Sequence, residues 1–314
     1  MRYVVDETSW NLDDLEEPDL LKTIDEILDL VDDALAQGHG CCCSEELFGH
    51  PVKGGLSFYE LFDGKGGISI PRDLIERHAT IFNSMPKWEE LGPPEVEAYD
   101  ASIDGGDEEF ACSICWAHAR NLHSGQCDVA VIAHSHYRSS GPKSVRVREL
   151  DVPVWFVTGV KDTELYFRYL ISNTSRNRHQ MGELATFAFR NLDFAADCFD
   201  GISNMEGAYS ALVQPIVAHL SAFSDVGSEI FRGPNELVAP TFGSLGVEIS
   251  NENGATRANN AATKARTVAV NGVDRVFWWH SKLEPHRNRI YISPDDARVG
   301  GNIVVGIFAR HLPT

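Results

Sequence analysis

The stretch TVAVNGVDRVFWWHSKLEPHRNRIYISPDDARVGGNIVVGIFARHL gathers His280, Lys282, Arg289, Tyr291 and Arg310 close to one end of the chain. Cleaving RNA without a metal needs a base for the ribose 2′-hydroxyl, cations for the charge that builds on phosphorus, and an acid for the leaving 5′-oxygen. His280 and Tyr291 can exchange protons, and Lys282, Arg289 and Arg310 can hold a phosphate. Trp278 and Phe308 are candidate stacking platforms for splayed bases, while Arg287 and Arg266 add cations for a nucleic-acid backbone. The competing reading is that a solvated sheet face simply carries polar residues, with Arg and Lys paired across strands as a matter of course.

Strands must present these side chains together. Asn271-Gly272 between two β-type runs is a strong hairpin signal, because both central residues of the tight turn need positive φ. Alternation along 276–283 puts Phe277, Trp279 and Leu283 on one side and Trp278, His280 and Lys282 on the other. By the same rule Ile290 and Ile292 oppose Arg289 and Tyr291, and Ile303, Val305 and Ile307 oppose Val304, Gly306, Phe308 and Arg310. Four antiparallel strands are therefore predicted, with one basic and aromatic face on which Gly306 leaves room for a ligand.

Charge separates this segment from the rest. Of 27 Lys and Arg and 46 Asp and Glu, nine and five lie in 251–314; the remaining 18 and 41 leave residues 1–250 at −23. A basic module on an acidic body is a prior for contact with RNA or another polyanion, and the net charge of −19 opposes loose, nonspecific DNA binding. No apolar run approaches the roughly 20 residues of a membrane-spanning helix. No apolar signal core follows Arg2, so no membrane partner is expected and a cytoplasmic, reducing location is.

Seven cysteines, three of them consecutive, make a poor disulfide framework. Cys112, Cys115, His118 and Cys127, with His123 nearby, could supply a tetrahedral zinc site. There is no second C-x-x-C, and FACSICWAHARNLH also reads as a helix whose thiols pack as small hydrophobes against VAVIA. No cofactor is predicted. At the other end, VVDETSW weakly resembles the opening strand of PIN-type nucleases, which ends in a metal-binding Asp. Two-metal hydrolysis would draw on Asp6, Glu7, Glu45, Glu46 and Asp128.

EPDLLKTIDEILDLVDDALAQGHG is an amphipathic helix with Leu21, Ile24, Ile27, Leu28, Val31 and Leu35 on its stripe. CDVAVIAHS and DVPVWFVTG are apolar strands. DTELYFRYLISN, GELATFAFRNLDFAADCF and GAYSALVQPIVAHLSAFSDVGSEIF have helical spacing, and the Gly/Asn/Ser-rich GPNELVAPTFGSLGVEISNENGATRANN reads as a linker or an irregular binding loop. The expected organisation is an α/β domain over 1–160, a helical middle over 161–234 and an α+β module over 235–314 with an antiparallel sheet of about four strands.

RIYI followed by NIVVGIFARHL resembles the final two strands of the RelE/HigB-like toxin superfamily, small ribonucleases with a helical hairpin on an antiparallel sheet. The likeness covers roughly 50 of the 314 residues. It implies that Arg289, Tyr291 and Arg310 occupy phosphate-binding and catalytic strand positions, completed by His280 and Lys282. The chain departs from that family in being long and acidic and in closing on Arg310-His311 rather than a Lys-rich segment. The same tail, with FRNLDFA and VAHLSAF, resembles a bacterial family of similar length associated with defence and mobile-element contexts. Two functions follow: a toxin-like endoribonuclease, partnered by RNA and an antitoxin, or a noncatalytic component that docks nucleic acid or an acidic protein.

Overall fold

The structure, a computed structural model, describes residues 2–63, 65–284 and 287–314. The chain divides into two compact units, Met1–Tyr166 and Phe167–Thr314. Among the described residues no helix is long and apolar enough to cross a membrane.

The first unit contains β1 (Tyr3–Val5), β2 (Cys41–Cys42), β3 (Pro51–Lys53), β4 (Leu56–Ser57), β5 (Asp100–Ile103), β6 (Glu108–Phe110), β7 (Ala130–Ile132), β8 (Gly141–Val147) and β9 (Leu150–Val157). Seven of them form one sheet in the order β2-β1-β7-β9-β8-β5-β6, parallel from β2 to β9 and antiparallel beyond, while β3 and β4 pair as a separate hairpin. Interior parallel strands are covered on both faces, which is why YVV in β1 is buried at every position. The helix Glu17–Ala36 buries Leu20, Ile24, Ile27, Leu28 and Val31, whereas the predicted stripe residue Leu35 is exposed. The polar stretch 141–147, between the two apolar strands read from the sequence, is itself a strand, β8, paired with β9 from Gly141↔Phe156 to Val147↔Leu150.

The second unit holds β10 (Leu192–Phe194), β11 (Glu248–Asn251), β12 (Thr267–Val270), β13 (Val273–Val276), β14 (Trp279–Glu284), β15 (Arg287–Ser293) and β16 (Ile303–Ala309). The main sheet has five strands rather than about four, in the order β10-β16-β15-β14-β11. The Asn271-Gly272 hairpin forms, with φ of 51° and 78° at the turn, yet β12 and β13 stand apart as their own two-stranded sheet. Their place is filled by β11 and by β10, which lies within a segment whose spacing predicted helix and pairs in parallel with β16. The predicted linker is also ordered: Asn235–Ser244 is a helix, and Asn253 and Asn259 cap two short helices, their side-chain oxygens accepting from Thr256 N–H and Ala261 N–H.

One irregularity fixes the faces of this sheet. Opposite β15 the register of β16 runs Arg289↔Ala309, Ile290↔Phe308 and Tyr291↔Ile307, then shifts to Ile292↔Val305. Gly306 is the extra residue, and an inserted residue reverses the in/out parity of everything beyond it. A Cβ there would lie 2.3 Å from the Phe277 ring, so the space that the sequence assigns to a ligand is filled by Phe277. Gly306→Ala is expected to lower the urea-unfolding stability of the chain by roughly 1–3 kcal/mol. Gly243→Ala, in a helix with nothing within 4 Å of its Cβ, is expected to be neutral or slightly stabilising, which chemical denaturation of both variants checks.

Candidate functional site

One face of the five-stranded sheet packs on helices. Trp279 meets Phe231 edge-on at 5.2 Å between ring centroids, and Ser281 Oγ lies 2.9 Å from His219 Nδ1. Phe308 belongs to this face: it pairs with Ile290, stacks on Phe199 at 5.3 Å and is buried. It is thus a core residue and not a platform beside Arg289, because the bulge at Gly306 turns it over. Arg310 has the same parity. It is exposed and lies 3.0 Å from Glu206, the carboxylate that also meets Arg287 at 3.2 Å. Arg287 and Arg310 therefore form an outer pair around Glu206, separate from the other predicted residues.

The opposite face brings His280, Lys282, Arg289 and Tyr291 together, as alternation predicts: His280 is opposite Tyr291 and Lys282 opposite Arg289. It is not a solvated face. Glu252, Arg266, Leu312 and Pro313 lie over it, and His280, Arg289 and Tyr291 are all buried. Arg266, expected to be a surface contact for nucleic acid, is fully buried. Its guanidinium donates to Glu252 at 2.7 and 3.2 Å and to the carbonyl of Pro313 at 2.6 Å, and it sits 5.4 Å from the Tyr291 ring centroid. The Tyr291 hydroxyl accepts from Leu312 N–H at 3.3 Å. Trp278 stays half-buried at the mouth of β14, with Arg257 over its ring at 5.2 Å.

Charge is distributed unevenly across this face. A single row runs Glu248↔Lys282↔Arg289↔Ala309 over four strands. Lys282 has Glu248 on one side, with which it forms an ion pair, but Arg289 has a cation on one side and a methyl group on the other. Like charges directly opposite repel. Arg289 is only 8% exposed, its Nε has no hydrogen-bond partner, and among the described residues no carboxylate pairs with it. Three permanent cations, Arg266, Lys282 and Arg289, thus face two carboxylates, Glu252 and Glu248. His280 adds no charge at neutral pH: burial first, then Arg289, Lys282 and Arg266, push its pKa down to about 3. His311 is held below its ordinary value by burial and by the same Arg289.

The remaining predicted residues lie in the first unit. Cys112 and Cys115 sit in the core cluster between the helix Cys112–Ser124 and the sheet, and burial pushes both thiols up to about 12. His118 bonds the carbonyl of Leu150 at 3.0 Å, and Cys127 Sγ accepts from Asn121 at 3.8 Å. Among the described residues no group of three or more His, Cys, Asp or Glu is placed to hold a metal ion. The five carboxylates of the PIN-type reading divide as well. Asp6 and Glu7 follow β1 and Glu45 and Glu46 follow β2, but Asp128 precedes β7 and lies at the opposite end of the parallel strands. Asp6 accepts from Thr8 and from Arg138 at 3.1 Å, and Arg138 bridges to Glu109 at 2.5 Å. Compared with family models, with curated proteins and with solved structures, the chain matches none.

Glu7 is buried, accepts from Ser113 N–H at 3.0 Å, and is pushed up to about 7 by burial and by neighbouring Asp6. Between pH 4.5 and 7 the unfolded chain releases this proton while the folded chain keeps it. Its contribution is therefore complete below pH 4.5 and lost as the pH rises to about 7. His78 and His134, held neutral by burial with values near 3, act in the opposite direction as the pH falls below 6.5. Comparing wild type with Glu7→Gln cancels them. The stability difference is expected to move in favour of the variant by at most about 3 kcal/mol from pH 4.5 to pH 8, measured by urea unfolding.

Proposed function

We propose that the second unit is an RNA-docking module that seats a backbone phosphate against Arg289. The observation that carries this reading is the buried guanidinium without an anion, in a cluster where Lys282 and Arg266 each have a carboxylate. A buried charge is tolerated when it is paired, and an arginine fork matches phosphate geometry. RNA is the polyanion of choice because Trp278 adds a half-buried aromatic surface on the same unit, and splayed bases stack on such rings. The likeness of RIYI and NIVVGIFARHL to RelE/HigB-like strands supports the same substrate class.

Docking accounts for the geometry better than metal-independent cleavage does. A general base works best with a pKa near the operating pH, whereas burial holds His280 near 3. The Tyr291 hydroxyl is fully buried and engaged by Leu312. Proton transfer to a ribose would require Tyr291 to release Leu312 N–H and the buried His280 ring to become accessible.

Arg289→Met tests the proposal, because it keeps length and removes charge. Single-stranded RNA is expected to bind the variant about tenfold or more weakly, with the slope of log affinity against log salt reduced by about one. Stability is expected to be unchanged or higher, since no ion pair is lost. A loss of about 3 kcal/mol or more would instead mark Arg289 as a structural ion-pair partner. EDTA-resistant cleavage by the wild type, lost in His280→Ala, would overturn docking in favour of ribonuclease activity.

A further inference from the structure

A cavity of about 290 Å³ opens where β14 begins and β15 ends. Ile292, Ser293 and Pro294 form its buried floor and Trp278 one wall, while Arg257 and Arg298 stand at its rim. We infer that this cavity is a nucleotide subsite, with the base stacked against the Trp278–Arg257 pair and Arg298 taking the phosphate.

Three observations support the assignment. The first is charge. Arg257 donates to the carbonyl of Glu252 at 3.0 Å and to Asn251 Oδ1, and Arg298 donates to Asn235 Oδ1 at 2.9 Å. Neither has a carboxylate partner among the described residues, so both retain a full positive charge for an incoming anion. Nearby Arg275 differs: it pairs with Asp296 at 2.7 Å. The second is the wall. The Arg257 guanidinium lies over the Trp278 ring at 5.2 Å, which presents two planar groups of the kind on which bases stack. The third is the polar edge. Asp295, which accepts from Ser293 Oγ at 3.1 Å, keeps a second oxygen that can accept from base N–H groups. This suits a base that offers an N–H donor on its edge, guanine among them.

The inference deepens the RNA-docking reading and rests on it for the identity of the polymer, but the cavity itself can be tested with a mononucleotide. Arg289 and Ser293 are four positions apart along β15, roughly 13 Å at strand rise. The two sites can therefore be inactivated independently.

Calorimetric titration of the full chain with 5′-GMP, ribose 5-phosphate and inorganic phosphate tests the assignment. Saturable 5′-GMP binding is expected, about tenfold or more tighter than ribose 5-phosphate, with that advantage lost in Trp278→Leu. Arg298→Ala, an exposed change that leaves the floor intact, is expected to weaken 5′-GMP and ribose 5-phosphate together. In Arg289→Met the preference for 5′-GMP over ribose 5-phosphate is expected to persist, because the base slot lies at Trp278 and not at Arg289. Equal affinity for 5′-GMP and ribose 5-phosphate would overturn the base slot, and no saturable 5′-GMP binding would overturn the subsite. If 5′-GMP binds but RNA affinity ignores Arg289→Met, the docking reading fails while the subsite stands.

Discussion

The second unit depends on one buried ion pair. Glu252 and Arg266 meet at 2.7 Å with almost no exposure on either side, and through them the chain between β11 and β14 is fastened across the sheet. Arg266 also reaches Ala262 and Pro313 through its Nη1, so a single guanidinium ties together a short helix, the covering segment and the last residues. Desolvating two charges is costly, and such a pair is worthwhile only when the remaining donors are satisfied. Here three backbone and side-chain acceptors share the load. Removing either partner would leave the other charged in a site that water does not reach.

That covering segment changes the chemistry of the strands beneath it. On an open sheet His280 would titrate near its ordinary value and Arg289 would be one solvated cation among several. Under the cover, His280 stays neutral, and the repulsion between half-buried Lys282 and buried Arg289 is screened less than it would be in water. The surplus of one positive charge becomes a local property of the fold. A ligand anion entering there would relieve an existing imbalance instead of creating a new one.

Much of the arrangement was legible in the residues. Period-two alternation put His280, Lys282, Arg289 and Tyr291 on one face, and Asn271-Gly272 located the hairpin. The alternation rule failed for Phe308 and Arg310 because one bulge residue, Gly306, reverses parity; a lone glycine in a strand marks either a bulge or room for a ligand, and alternation does not choose between them. Burial of the basic face was not readable from the strands either, since the cover comes from a Gly- and Asn-rich stretch with little apolar periodicity. The signal available there was capping: Asn253 and Asn259 each precede a short run that begins a helix. The helical reading of FRNLDFAADCF missed β10, because three residues of edge strand are too few to break a 3.6-residue pattern.

The cysteines give the two units separate chemical reporters. All seven are unpaired and buried, and thiols that stay protonated and out of reach react only when the surrounding structure opens. Six lie before Tyr166 and one, Cys198, lies after it. Alkylation of Cys198 therefore times the opening of the second unit alone, while modification of Cys41, Cys42, Cys43, Cys112, Cys115 and Cys127 follows the first. A single mass spectrum taken along a labelling time course would resolve the local stability of each half of the chain.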